Sequence, residues 1–131
     1  MKILIVDDDF TCRLLMKELL KNYGQSHVAV DGREAVEAVR QAIDADSPYN
    51  LICLDIMMPE MDGQEVLRII RKQEESRGIL STNGAKIIMT TALGDPKNVM
   101  AAFGSLCDAY LTKPIQKEKL VEELDKLNLV S

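Results

Sequence analysis

Three short runs of apolar, largely β-branched residues constrain this chain most: KILIV at 2–6, LICL at 51–54 and AKIIM at 85–89. Apart from Lys2 and Lys86 they contain no polar residue, so each reads as a strand covered on both faces, the usual condition of a parallel sheet. Between them the period of the pattern lengthens to that of a helix. Residues 10–22 carry Leu15, Leu19 and apolar neighbours with charges between, and Gly24 follows, which predicts a helix with a glycine past its end. A weak strand is expected at 27–30. Ala35, Val36, Val39 and Ile43 make a second helical stripe over 32–43, closed by Ser47-Pro48. Residues 59–63 can only be a loop, and Asp62 with Glu65 forms a capping-box pattern ahead of Val66, Leu67 and Ile70. Asp95-Pro96 sets a capping acid before a first-turn proline and predicts a helix to about Phe103. Residues 109–111 give a short fifth strand, and residues 116–127, striped by Leu120, Leu124 and Leu127, the last helix. The polar stretch 73–84, holding Gly78 and Gly84, is expected to protrude as a loop.

Strands alternating with helices of roughly 10–15 residues imply right-handed βαβ units, so the class is α/β with an open, doubly wound parallel sheet. A chain of 131 residues, 47% apolar and 28% charged, makes one domain spanning 1–131. At that size folding removes roughly two thirds of the unfolded surface from water, enough for a core without disulfides. Cys12, Cys53 and Cys107 are odd in number, far apart and set in apolar stretches, which favours buried, reduced thiols and a cytoplasmic location. The formal charge is −5 with both signs interleaved, and the basic footprint of a nucleic-acid binder is missing. Only four apolar residues separate Lys2 from Asp7, too few for a secretion signal, and no apolar run approaches the ~20 residues of a membrane helix. Neither nucleic acid nor membrane is an expected partner. Met1 and a last helix ending near Leu129 read as a complete unit.

In open parallel sheets ligands bind beyond the carboxyl ends of the strands. Asp7 and Asp8 end the first strand, Asp55 the third, Thr90-Thr91 the fourth and Lys113 the fifth, all at one rim. Each residue alone has an ordinary explanation: Asp8 or Asp9 as a helix cap, Asp55 as a turn former, Thr91 as a strand end, Lys113 as solvated surface. Capping does not account for acids and one lysine at corresponding ends of separate strands. Two like charges about 4 Å apart cost roughly 4 kcal/mol at an effective dielectric near 20, so clustered carboxylates need counter-charge. Lys113 would supply one, and a hard, oxygen-preferring ion such as Mg²⁺ the rest. An ion held by few carboxylates keeps open positions for a phosphoryl group, whose other oxygens suit the Thr91 hydroxyl and the Lys113 ammonium. A carboxylate nucleophile at Asp55, forming an aspartyl phosphate, is then chemically sensible.

At these residues the sequence resembles a response-regulator receiver domain of two-component signalling, of the stand-alone kind similar to the chemotaxis regulator. The matching pieces are Ile5-Val6-Asp7-Asp8, the run LDIMMPEMDG at 54–63, Met89-Thr90-Thr91-Ala92 and Leu111-Thr112-Lys113-Pro114, in that order on alternating strands and helices. The resemblance spans essentially the whole chain. It implies a flavodoxin-like five-stranded sheet in the order 2-1-3-4-5, and Asp55 as phosphoacceptor from the phosphohistidine of a sensor histidine kinase or histidine phosphotransfer protein. It further implies Mg²⁺ bound by Asp8, Asp55 and the Met57 backbone carbonyl, with Asp7 acting largely through water. Thr91 and Lys113 would hold phosphoryl oxygens. Lys113-Pro114 would be a cis peptide, and Tyr110 would turn inward as Thr91 moves. A downstream protein would bind the fourth helix (96–103), the fifth strand and the fifth helix. Asp9 is not carried over; it is expected to cap the first helix. Such a protein would catalyse only its own phosphorylation and dephosphorylation.

Two positions depart from the chemotaxis pattern. Met57, two after Asp55, and Leu93, two after Thr91, are apolar where many receivers carry polar groups that influence hydrolytic water. A comparatively long-lived aspartyl phosphate is expected. Met58 and Met61 are candidates for a soft docking surface beside Asp55, and His27 reads as a surface strand residue rather than a ligand. The main rival is a Mg²⁺-dependent phosphohydrolase working through an aspartyl phosphate, but such enzymes usually place a second acid where Met57 stands. A flavin carrier of this architecture would need a Ser/Thr/Gly-rich phosphate loop where Asp7, Asp8 and Asp9 would repel phosphate. A binding module with a degenerate pocket fits poorly, because all the pocket residues are present.

Overall fold

The apolar runs do become the middle of a parallel sheet. The computed structural model describes residues 1–80, 83–91 and 106–130. Its strands are β1 (Lys2–Val6), β2 (Gln25–Ala29), β3 (Leu51–Asp55), β4 (Lys86–Thr91) and β5 (Ala109–Thr112), paired in the order β2-β1-β3-β4-β5. The described helices are α1 (Phe10–Leu20), α2 (Gly32–Asp44), α3 (Gly63–Ser76) and α4 (Lys117–Lys126). The helix expected at 96–103 and the departure at Leu93 lie outside the described residues.

Alternate residues of each strand feed two cores, as the two-residue period of a strand requires. Leu4, Val6, Ile52, Leu54, Ile87 and Met89 pack with Ala35 and Val39 of α2 and Val66, Leu67 and Ile70 of α3. Ile3, Ile5, Leu51, Cys53 and Ile88 face the other way, onto Met16 and Leu20 of α1 and Leu120 and Leu124 of α4. Every residue of β3 is buried, which is why its sequence shows no alternation.

The helix starts carry the capping chemistry of their sequences. Asp9 precedes α1 and accepts from the Thr11 amide at 2.9 Å. Asp31 does the same for α2 through the Glu34 amide, and Asp62 for α3 through the Glu65 amide at 3.0 Å.

Several expectations need correction. β2 starts two residues earlier and ends one earlier than its hydrophobicity suggests, because Gln25 and Ser26 are paired in register with Lys2 and Ile3 of β1. The stretch 73–84 is not a protruding loop from its start: α3 runs on to Ser76, and Glu74 is buried. Arg71 reaches Glu74 at 2.8 Å, the Ala85 and Leu106 carbonyls at 2.8 Å each, and Asp108 at 3.0 Å. The second Glu74 oxygen accepts from the Ala85 amide at 2.8 Å. These charges pair inside the protein, tying α3 to the entrances of β4 and β5. Met58 is buried in the core and so does not form the docking surface expected of it, while Met61 is half-buried against that core. Cys53 and Cys107 are free and buried, while Cys12 is half-buried; burial pushes the Cys53 thiol up to about 12. His27 lies on β2 but is half-buried, its Nδ1 2.9 Å from the Tyr49 hydroxyl.

Candidate functional site

Sheet register assembles the site. Val6 is paired with Leu54 in parallel register, so the next residues, Asp7 and Asp55, leave neighbouring strands side by side. Strand parity puts both on the face of Ile3, Ile5, Leu51 and Cys53. Asp55 is in turn paired with Thr90 on β4, and Thr91 with Thr112 on β5, which brings Thr91 and Lys113 to the same rim. Lys113 stands two strands from Asp55, and its long side chain reaches back across β4. The Lys113–Pro114 peptide is cis.

The charges meet there. Lys113 Nζ lies 2.8 Å from Asp7 Oδ2 and 3.4 Å from Asp55 Oδ1. Asp7 and Asp55 are each only 3% exposed, whereas Asp8 is exposed. Carboxylate oxygens of Asp7, Asp8 and Asp55 all lie within 4.8 Å of one another. The other Asp7 oxygen accepts from the Asp9 amide at 2.9 Å, and the Met57 amide donates to Asp55 Oδ1 at 3.4 Å. Thr91 is buried, and its carbonyl accepts from the Lys113 amide at 2.7 Å. Tyr110 is half-buried against the core on the α2/α3 side of the sheet.

Electrostatics follow from this crowding. Burial first, and then the Asp7 charge, raise the Asp55 carboxyl from 3.8 to about 6 against the pull of Lys113. Burial by itself would lower Lys113, but its hydrogen bond to Asp7 and the charges of Asp55 and Asp7 more than offset this and hold it above the ordinary lysine range. Among the described residues, one ammonium faces three acids, which leaves an excess of negative charge at the rim. The donor set is all oxygen, partly exposed on the Asp8 side, and suits a small hard cation that keeps part of its water.

The site residues expected from the sequence are therefore together: Asp7, Asp8, Asp55, Lys113 and the backbone at Met57, with Thr91 at the adjoining strand end. Two contributors have roles that the sequence does not show, one on the first helix and one at the end of the 54–63 run. Arg13, on α1, donates from its guanidinium to the Asp7 carbonyl at 2.8 Å; an arginine on an amphipathic helix ordinarily faces water. Gly63 donates its amide to the Ile56 carbonyl at 2.9 Å, and a Cβ there would stand 2.4 Å from the Asp55 carbonyl oxygen. Only glycine lets the start of α3 lie this close to the end of β3.

Known proteins resemble this chain in sequence and fold. The response regulator receiver domain family matches residues 3–125. The chain is 33% identical to the chemotaxis protein CheY of Listeria monocytogenes over 126 residues, covering 96% of this chain and 97% of that protein. It is also 33% identical to the probable histidine kinase 2 of Oryza sativa subsp. indica, covering 93% of this chain but only 12% of the kinase's length. Among solved structures it is similar to the receiver domain of the histidine kinase CKI1 from Arabidopsis thaliana complexed with Mg²⁺ and BeF₃⁻, with TM-score 0.81, 28% identity and coverage of 97% and 89% of the two chains. No described helix is long and apolar enough to cross a membrane. Sheet order, rim chemistry and these relatives agree, and the chain belongs to the response regulator receiver domain family, the phosphoacceptor modules of two-component signalling.

Proposed function

We propose that Asp55 is the residue phosphorylated, taking its phosphoryl group from the phosphohistidine of a sensor histidine kinase or histidine phosphotransfer protein. One observation carries this reading: a buried carboxylate at the end of β3 faces two further acids, with a lysine 3.4 Å away. In the transfer, an Asp55 carboxylate oxygen attacks phosphorus as the P–N bond breaks. The bonding pair leaves on the imidazole nitrogen, which takes a proton. Asp8, Asp55 and the Met57 carbonyl would hold Mg²⁺, with Asp7 bound through water and tied to Lys113. When bound, Mg²⁺ supplies positive charge to the phosphoryl oxygens and relieves repulsion among the acids. Lys113 neutralises a second phosphoryl oxygen, and the Thr91 hydroxyl donates to a third.

The output is a shift between two conformations, biased by contacts that exist only when phosphate is present. Thr91 moving toward the phosphoryl group leaves room for Tyr110 to turn inward, and the described part of the surface read by a downstream protein is β5 and α4. A protein of this kind turns over no separate substrate and signals through protein contacts in the cytoplasm.

Phosphorylation by phosphoramidate tests the assignment. Intact-mass spectrometry should find one added phosphoryl group on the wild-type protein with Mg²⁺, and none with EDTA or in Asp55→Asn. Labelling of Asp55→Asn to the wild-type extent would place the acceptor elsewhere.

A further inference from the structure

Resting on the Mg²⁺ reading above, we propose that Arg13 is a positioning residue for the cation site: its guanidinium sets the direction in which Asp8 leaves the end of β1. Asp7 is held on every side. Its amide donates to the Ala29 carbonyl on β2 at 3.2 Å, and its carboxylate is fixed by Lys113 and the Asp9 amide. Its carbonyl receives Arg13 at 2.8 Å. That carbonyl shares a rigid plane with the Asp8 amide and Cα, so holding the oxygen fixes the rotation between the Asp7 Cα and its carbonyl and hence where the Asp8 Cα stands, while the Asp9 amide, held by the Asp7 carboxylate at 2.9 Å, restrains the chain on the far side of Asp8. Asp8 needs this outside help. It lies between the end of β1 and the cap of α1, it is exposed, and its carboxylate makes no hydrogen bond or ion pair among the described residues. A metal-binding carboxylate without a partner of its own is oriented by its backbone alone.

Arg13 is suited to the task. It projects from α1, whose Met16 and Leu20 are anchored in the core, so the donor sits on a rigid element rather than on the loop it orients. Its guanidinium also lies 5.8 Å from the centre of the Phe10 ring, a cation–π distance that favours this rotamer over one pointing into water. The arginine does not touch the cation. It acts through the Asp7–Asp8 peptide, as groups behind metal ligands do elsewhere.

The test is Mg²⁺ titration by calorimetry of the whole chain as wild type, Arg13→Met, Arg13→Lys and the exposed neighbour Leu14→Ala, with melting curves in EDTA alongside. Arg13→Met keeps the apolar stem and should weaken Mg²⁺ binding roughly tenfold. Arg13→Lys, which can still donate one hydrogen bond, should recover part of this, and Leu14→Ala should match wild type. The Mg²⁺ concentration giving half-maximal labelling by phosphoramidate should rise in parallel, with little change in the rate at saturating Mg²⁺. Unchanged affinity in Arg13→Met overturns the proposal. So does a loss of affinity accompanied by an equivalent loss of thermal stability in EDTA, which would make Arg13 a general stabiliser. Wild-type protein that binds no Mg²⁺ would instead bring down the functional reading on which the inference rests.

Discussion

Removing the charge of Asp55 should stabilise the metal-free protein. The carboxyl is raised from 3.8 to about 6, and each unit is worth about 1.4 kcal/mol between the two protonation states. Because the folded value lies above the unfolded one, the folded protein keeps a proton that the unfolded chain has already lost. Stability therefore falls as pH rises from about 4 to about 6, and above that the ionised group costs the fold about 3 kcal/mol. Asp55→Asn abolishes the charge while keeping the shape. It forfeits the 3.4 Å contact with Lys113, but Lys113 keeps its shorter partner Asp7 at 2.8 Å. The net expectation at pH 7.5 in EDTA is a gain of about 2 to 3 kcal/mol, or roughly 5 to 10 °C in melting temperature for a domain of this size. Urea unfolding followed by far-ultraviolet circular dichroism measures it. The gap should close below about pH 3, where Asp55 is protonated in both states. Excess Mg²⁺ should also narrow it, because ligation stabilises the wild-type fold by mass action. An Asp55→Asn protein no more stable than wild type in EDTA at pH 7.5 would refute this account of the pocket.

Three further outcomes are expected. Met57 is 72% exposed and offers no group to orient water, so Met57→Asn should speed decay of the aspartyl phosphate several-fold, as followed by loss of the phosphorylated mass; an unaltered lifetime discards the idea. Glu74→Ala leaves Arg71 half-paired and the Ala85 amide without its acceptor, and should cost about 3 kcal/mol in urea unfolding, whereas Glu74→Gln, which loses the charge but keeps one acceptor oxygen, should cost less; equal effects would mean that the acceptor at the Ala85 amide contributes nothing and that charge pairing carries the whole cost. Gly63→Ala pushes a methyl group against the Asp55 carbonyl at 2.4 Å and should cost about 1 to 3 kcal/mol by overpacking, with slower phosphorylation of Asp55 by phosphoramidate; normal stability would show that the close approach is readily relieved.

The legible parts of this molecule are those where local chemistry and tertiary environment agree. β1, β3 and β4 stand out because burial on both faces removes polar residues from their interiors, and Asp9 and Asp62 are caps that act within three residues of themselves. β2 is misread by two positions because an edge strand can begin with Gln25 and Ser26, whose pairing to Lys2 and Ile3 is a backbone matter. Glu74, read as part of a polar loop and paired here with Arg71, misleads for a different reason. A charged residue is scored as solvated when taken singly, yet here the two neutralise each other beneath the strand entrances.

For the site, residue order was enough to mark Asp7, Asp8, Asp55, Thr91 and Lys113 as a set and to name the chemistry that acids and a lysine at strand ends can perform. Their distances were not in the order of residues. They come from the parallel register of Val6 with Leu54 and of Asp55 with Thr90, which aligns the strand ends, and from a lysine long enough to cross β4. Composition can say which groups a chain possesses, since that depends on covalent structure alone. Which of them share a low-dielectric pocket, and so have their proton affinities altered, depends on packing between segments remote in sequence.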